Sequence, residues 1–216
     1  YELASCLVGS EMCIRDRSMM EFFKPNDEVC GKLAVFKSPE EVVNMAHLAL
    51  GSNFCSEDPN EMQAVLDLML EQKKCVKVYS SEGINDRLKS GEVIMHAHWD
   101  GYSQVGKWEY MDDLTYAYPK EGVVGWFDSL VMPKGAKNVK EAKAFMNFLM
   151  NPENMAILSN NAAYANAIPE SQKYLSDKMK NATNIQVPDG VPVVFGQACN
   201  EKAQSLIDKV WTRVMQ

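Results

Sequence analysis

The 216-residue chain is 46% hydrophobic and 24% charged, an ordinary globular balance with length enough for one large domain or two small ones. Its formal net charge of −7 argues against nucleic-acid binding, which needs basic surface, and no apolar run approaches the roughly 18 residues of a membrane helix. Six cysteines without a CxxC pair argue against a zinc ribbon or a redox motif.

Residues 1–17 carry neither a helical nor a strand period. They are not a secretory signal either, because the charge lies at the wrong end and no A-x-A site follows. Residues 7–17 are similar to translated sequencing-adapter sequence, so 1–17 is expected to be a non-native leader, with Cys6 and Cys13 outside the fold. Residues 31–36 predict a strand, and Ser38-Pro39-Glu40-Glu41 opens a helix: Ser38 as cap, Pro39 at the first helical position, and two carboxylates on the positive helix end. Val42, Met45, Ala46 and Ala49 form its apolar stripe. A second helix starts at Ser56-Glu57-Asp58-Pro59, with Met62, Val65, Leu66, Met69 and Leu70 in helical spacing. Strands are predicted at 76–79, 93–99, 114–118 and 129–132, and helices at 84–89, 139–150 and 203–215, with a loop over 162–169. Alternating strands and helices imply an α/β fold with a largely parallel, helix-covered sheet. Cys30, Cys55, Cys75 and Cys199 remain; an exported compartment permits pairing, and spacing leaves the connectivity open.

The most informative stretch is 119–133, Pro-Lys-Glu-Gly-Val-Val-Gly-Trp-Phe-Asp-Ser-Leu-Val-Met-Pro. On a strand, Trp126 and Asp128 share one face. A flat ring beside a carboxylate suits an organic cation, through cation–π attraction and a charged hydrogen bond. This segment resembles the second crossover of the polyamine-binding proteins of bacterial ABC importers, the spermidine/putrescine type. The resemblance continues through Ala136-Lys137-Asn138, Asn147-Phe148-Leu149-Met150-Asn151-Pro152-Glu153 and Tyr164, and back through Trp99 to Phe22-Phe23-Lys24-Pro25.

The resemblance implies a type II periplasmic-binding-protein-like fold of two lobes. Residues 18–127 and 173–216 would form the second lobe, and 128–172 would cross back into a first lobe whose greater part lies upstream, so the chain is expected to be a fragment. It also implies a set of ligand contacts. Glu41 corresponds to an acid that meets a polyamine amine, and Ser38 stands where polyamine binders often carry a second acid. Trp99, Trp126 and Tyr164 correspond to aromatics lining the cleft, Asp128 to a carboxylate at the hinge strand, and Gln197 to a polar contact ahead of the last helix. Asp100 is a separate candidate, with capping of a helix from Tyr102 as its commoner role. Glu41, Trp99, Trp126 and Asp128 are expected to converge on one open surface. The partners implied are a small cationic polyamine and an inner-membrane ABC permease, in the periplasm, with no cofactor.

Other chemistry finds no support. His96 and His98 share a strand face but lack a third metal ligand, and two such histidines are usually packed. No G-x-S-x-G or G-x-x-x-x-G-K-[ST] occurs. A binding protein for another organic cation or an amino-acid-derived ligand is the nearest alternative. An enzyme on a two-lobed α/β scaffold is the rival from a different class.

Overall fold

Leu33–Val35 forms β1, a fully buried strand with a parallel partner on each side. The computed structural model describes residues 18–216, so the leader expected over 1–17 lies outside the described residues. The neighbours of β1 are β2 (Val76–Tyr79) and β3 (Met95–His96), in the order β2-β1-β3. Leu33 pairs with both Val76 and Met95. A central parallel strand is covered on both faces, so its sequence is a continuous apolar run rather than an alternation. A second parallel pair joins β4 (Val123–Gly125) to β5 (Val193–Phe195).

The sequence reading missed β5. Its Val-Pro-Val-Val-Phe run is short, and its partner lies 70 residues away in register, Val123 opposite Val193. Two expected strands do not form. Residues 114–118 and 129–132 pair with no strand among the described residues. Leu114, Ala117 and Tyr118 are buried all the same, and the Tyr116 hydroxyl donates to the His98 carbonyl at 2.9 Å. Apolar alternation marks extended backbone, whereas a ladder also needs a free neighbouring edge. The expected strand over 93–99 shrinks to Met95–His96, because its partner β1 is itself only three residues long.

The helices are α1 (Met19–Phe23), α2 (Pro39–Leu50), α3 (Pro59–Lys73), α4 (Ile84–Lys89), α5 (Asp100–Glu109), α6 (Val139–Leu149), α7 (Pro152–Ala162), α8 (Asp177–Lys180) and α9 (Glu201–Met215). A 3₁₀ turn, Pro169–Tyr174, follows α7. Asp58, Asn151 and Asn200 cap α3, α7 and α9 through side-chain oxygens. Ser38 holds the N-cap position of α2 with extended backbone, but its hydroxyl makes no cap bond; the expected side-chain cap is absent. Val43, His47 and Leu48 of α2 are buried alongside Val42 and Ala46, a wider face than the predicted stripe, because α2 packs against α1, α3, α9 and β4 together.

The chain divides into two compact units. One comprises the described residues up to His98, with Gly106–Trp126 and Val187–Gln216; the other comprises Trp99–Val105 and Phe127–Gln186. In the first unit the helices close over Phe22 and Phe23, whose rings meet edge to face at 5.3 Å, and Gln72 donates to the Phe22 carbonyl. Disulfides Cys30–Cys75 and Cys55–Cys199 staple this unit across 45 and 144 residues.

In the second unit α7 packs on the 3₁₀ turn and α8. Asn166 ties this corner together, donating to the Ser159 hydroxyl and accepting from Ser171 and from the Ile168 amide. The first turns of α5 are held by Asn184, whose amide N–H donates to Gln104 Oε1 at 2.8 Å and whose side chain donates to Ser103 at 2.9 Å. No residue of α6 is buried: Val139 is 39% exposed, Phe145 57% and Phe148 59%.

Two outcomes follow. With that apolar face exposed, the chain is expected to bind a hydrophobic dye and to self-associate, because soluble monomers rarely expose large contiguous apolar patches; Phe145→Asp with Phe148→Asp should lower dye binding and return the sedimentation coefficient to that of a monomer. Replacing Cys55 and Cys199 by serine should cost about 2–5 kcal/mol in chemical denaturation, the usual range for a lost native disulfide, with the larger loss expected here than at Cys30 and Cys75 because the loop is longer.

Candidate functional site

Ligands of open α/β sheets gather beyond the carboxyl ends of the strands, and the expected site residues stand in such positions. β1 ends at Val35; Ser38 and Glu41 follow, Glu41 in the first turn of α2. β3 ends at His96, and Trp99 follows as the residue whose carbonyl accepts the first helical bond of α5, from Ser103 at 2.8 Å. β4 ends at Gly125, directly before Trp126, and β5 ends two residues before Gln197. Ser38, Glu41, Trp126 and Gln197 belong to the first unit, and Trp99, Asp128 and Tyr164 to the second.

Trp126 and Asp128 do not share a strand. β4 has closed at Gly125, so no ladder imposes the alternation expected of them. Trp126 is 44% exposed and Asp128 is exposed. Gln197 is exposed as well, its carbonyl 3.7 Å from Cys55 Sγ.

The best-defined cluster lies within the second unit. Asp100 opens α5 rather than capping a helix from Tyr102, and its Oδ1 accepts from the Gly101 amide at 2.7 Å. Burial raises the Asp100 carboxyl above the usual carboxylate range, while the amides of Gly101 and of Asp100 itself pull it back. Tyr164 follows Ala163, which ends α7 in the left-handed region at φ 59°. That turn brings the Tyr164 ring onto the first turn of α5, and the Tyr102 amide donates to its hydroxyl. The phenol is pushed up to about 12, first by burial and then by the negative charges of Asp100 and Asp128. Two carboxylates therefore act on one neutral hydroxyl, with Trp99 adjacent in sequence. Such a grouping suits an ammonium group, which carries three donors and a charge. The sequence signal for Asp100 is a carboxylate directly after a candidate aromatic.

The histidines are packed. His96 and His98 are buried with rings 6.4 Å apart. His96 donates from Nδ1 to the Ala97 carbonyl at 2.6 Å, and His98 Nε2 to Asn85 Oδ1 at 2.8 Å. Burial lowers His96 to about 4 and also lowers His47, which bonds Ser52. Among the described residues no group of three metal-ligating side chains occurs, and no helix is long and apolar enough to cross a membrane.

The parallel strands of this chain carry aromatics and carboxylates beyond their carboxyl ends. The family model for bacterial extracellular solute-binding proteins matches residues 17–187, and the chain belongs to that family. It is 28% identical over 203 residues to the putrescine-binding periplasmic protein PotF of Escherichia coli K12, covering 86% of this chain and 52% of that protein. It is 26% identical over 199 residues to the spermidine/putrescine-binding periplasmic protein of the same strain, covering 91% and 56%. The chain thus spans about half the length of these curated relatives. Its fold is that of the Tp0655 (TpPotD) lipoprotein of Treponema pallidum, with a TM-score of 0.75 at 18% identity over 94% of this chain and 63% of that one. It is also that of the spermidine/putrescine ABC transporter substrate-binding protein PotD of Streptococcus pneumoniae, with a TM-score of 0.71 at 19% identity over 94% and 65%.

The buried titratable groups set a pH window. Unfolded, His96 takes up a proton near 6.5; folded, it stays neutral down to about 4. Its contribution to stability is full above pH 6.5 and is lost as pH falls toward 4. Tyr79 and Tyr164, both raised to about 12, behave in the opposite sense. Their contribution is full below pH 10 and is lost as pH rises toward 12. Urea midpoints measured from pH 4 to 12 should fall at both ends, and Tyr164→Phe should flatten the alkaline limb.

Proposed function

We propose that the chain is part of the extracytoplasmic binding component of an ABC importer, that its ligand is a polyamine such as putrescine or spermidine, and that it delivers this ligand to a membrane permease from the periplasm. The observation that carries the reading is the cluster of Asp100, Asp128 and Tyr164 beside Trp99 in the second unit. Two relatives whose names specify putrescine or spermidine align with most of the chain. The family is one of extracellular solute-binding proteins, and both relatives are periplasmic binding proteins.

In this reading Asp128 and Glu41 take ammonium groups, with Asp100 reinforcing the field at Asp128. Trp99, Trp126 and Tyr164 cover the methylenes and add cation–π attraction. Ser38 and Gln197 supply polar contacts. Residues 18–127 and 173–216 serve as the second lobe and 128–172 as the return into the first, with ligand-driven lobe closure as the signal to the permease. No chemical step is involved. Ser38, in place of a second acid, favours a ligand with one fewer cationic contact at α2.

Calorimetric titration of the chain with putrescine, spermidine and uncharged 1,4-butanediol tests this. Saturable heat is expected from the amines alone. Asp128→Asn should weaken amine binding by about 1.5–3 kcal/mol, the scale of a charged hydrogen bond, or roughly 10- to 150-fold. Equal binding of putrescine by parent and variant would remove Asp128 from the site.

A further inference from the structure

The Tyr164 ring lies against the backbone of Gly101. A Cβ placed on Gly101 would stand 2.6 Å from Cδ1, 2.6 Å from Cε1 and 2.7 Å from Cγ of that ring. Real carbon atoms do not approach so closely. The clash would involve the ring's attached edge rather than a swinging tip, so Tyr164 could not stay in place.

Gly101 has no conformational reason to be glycine. It lies in the first turn of α5, where its φ is not in the left-handed region. Glycine inside a helix is unfavourable relative to alanine, so the absent side chain has its explanation in the neighbour it admits. Both partners lie in the second unit. The contact is anchored on both sides. Ser103 and Gln104 hold the helix to Asn184. The left-handed Ala163 fixes the turn before Tyr164, and the Tyr102 amide takes its hydroxyl.

We infer that Gly101 is the positioning residue of the cation site: by leaving room for the Tyr164 ring, it fixes that ring over the first turn of α5, the turn that Asp100 opens, where an ammonium group is to be received. The inference rests on the polyamine reading for its ligand and on the Gly101–Tyr164 contact for its geometry. Gly101 touches no ligand itself and acts through Tyr164. With the ring displaced, the site loses the hydroxyl and the wall that define the direction of approach.

The test is a double-mutant cycle on the full chain with putrescine as the probe, using Gly101→Ala, Tyr164→Ala and both together. Gly101→Ala should weaken putrescine binding at least tenfold while the melting temperature holds, since alanine favours the helix. In the Tyr164→Ala background the same change should have no further effect on binding, because the clash has been removed. An independent readout comes from the phenol. Ultraviolet titration of the parent should show Tyr164 ionising near pH 12, assigned by its loss in Tyr164→Phe, and in Gly101→Ala this ionisation should move down toward the ordinary tyrosine value near 10.

Retention of the high phenol ionisation in Gly101→Ala overturns the positioning role, whatever the ligand data show. An equal loss of putrescine binding from Gly101→Ala with and without Tyr164 overturns it too. If the parent binds no putrescine while the phenol ionisation falls in Gly101→Ala, the polyamine reading fails and the positioning of Tyr164 by Gly101 stands.

Discussion

Parallel pairing of β1 on both edges is the constraint from which the rest of the first unit follows. A parallel neighbour cannot be reached by a tight turn, so every strand must be followed by a return connection. In this sheet β2, β1 and β3 point the same way, and the chain leaves all three at one edge. The α2 helix therefore begins where β1 stops, presenting its first turn, with Glu41, at that edge. The same rule makes the chain pass from β3 through Trp99 into α5. The apolar Leu33-Ala34-Val35 run, wholly buried, is what commits β1 to the centre. Site residues are delivered to strand ends by topology, before any ligand is considered.

The second unit achieves order differently. Its helices α6 and α7 bury few apolar side chains, only Ala156 and Ser159 of α7 being buried. Side-chain amides supply much of the cohesion there: Asn166 joins α7 to the 3₁₀ turn, and Asn184 holds the start of α5. Hydrogen bonds of this kind specify geometry sharply, because leaving a buried partner unsatisfied costs more than making the bond gains. The frame fixes the start of α5, where Asp100 stands. Asp100 shows the balance: burial disfavours its charge, and two backbone amides at the start of α5 offset that only in part.

Electrostatics and burial act together on Tyr164. Its hydroxyl is kept protonated by burial and by two nearby carboxylates, so it is a donor throughout the physiological range. The histidines are the complement: buried and hydrogen-bonded within the protein, they serve packing. The net charge of −7 reflects an excess of Asp and Glu over Lys and Arg.

Much of this was legible in the linear sequence. Helices with Pro at the first position and a polar residue before it, as at Asp58-Pro59 and Asn151-Pro152, were visible because capping and period are local properties. The strands β1 and β2 were visible as short apolar runs between such helices. The family resemblance rested on local motifs too, and the family match bears it out. What the sequence could not decide was which extended segments find a partner: 114–118 and 129–132 had the strand pattern and pair with nothing described, while Val193–Phe195 pairs with β4 across 70 residues. Pairing of Cys30 with Cys75 and of Cys55 with Cys199 was likewise undetermined, since spacing carries no connectivity. The role of Asp100 and the need for glycine at 101 became visible only when Tyr164, 63 residues downstream of Gly101 in the numbering, was seen to lie on that turn. Local preference is encoded residue by residue, but a strand edge, a disulfide partner and a ring resting on a helix are each chosen by a segment distant in sequence, and only the folded chain brings the two together.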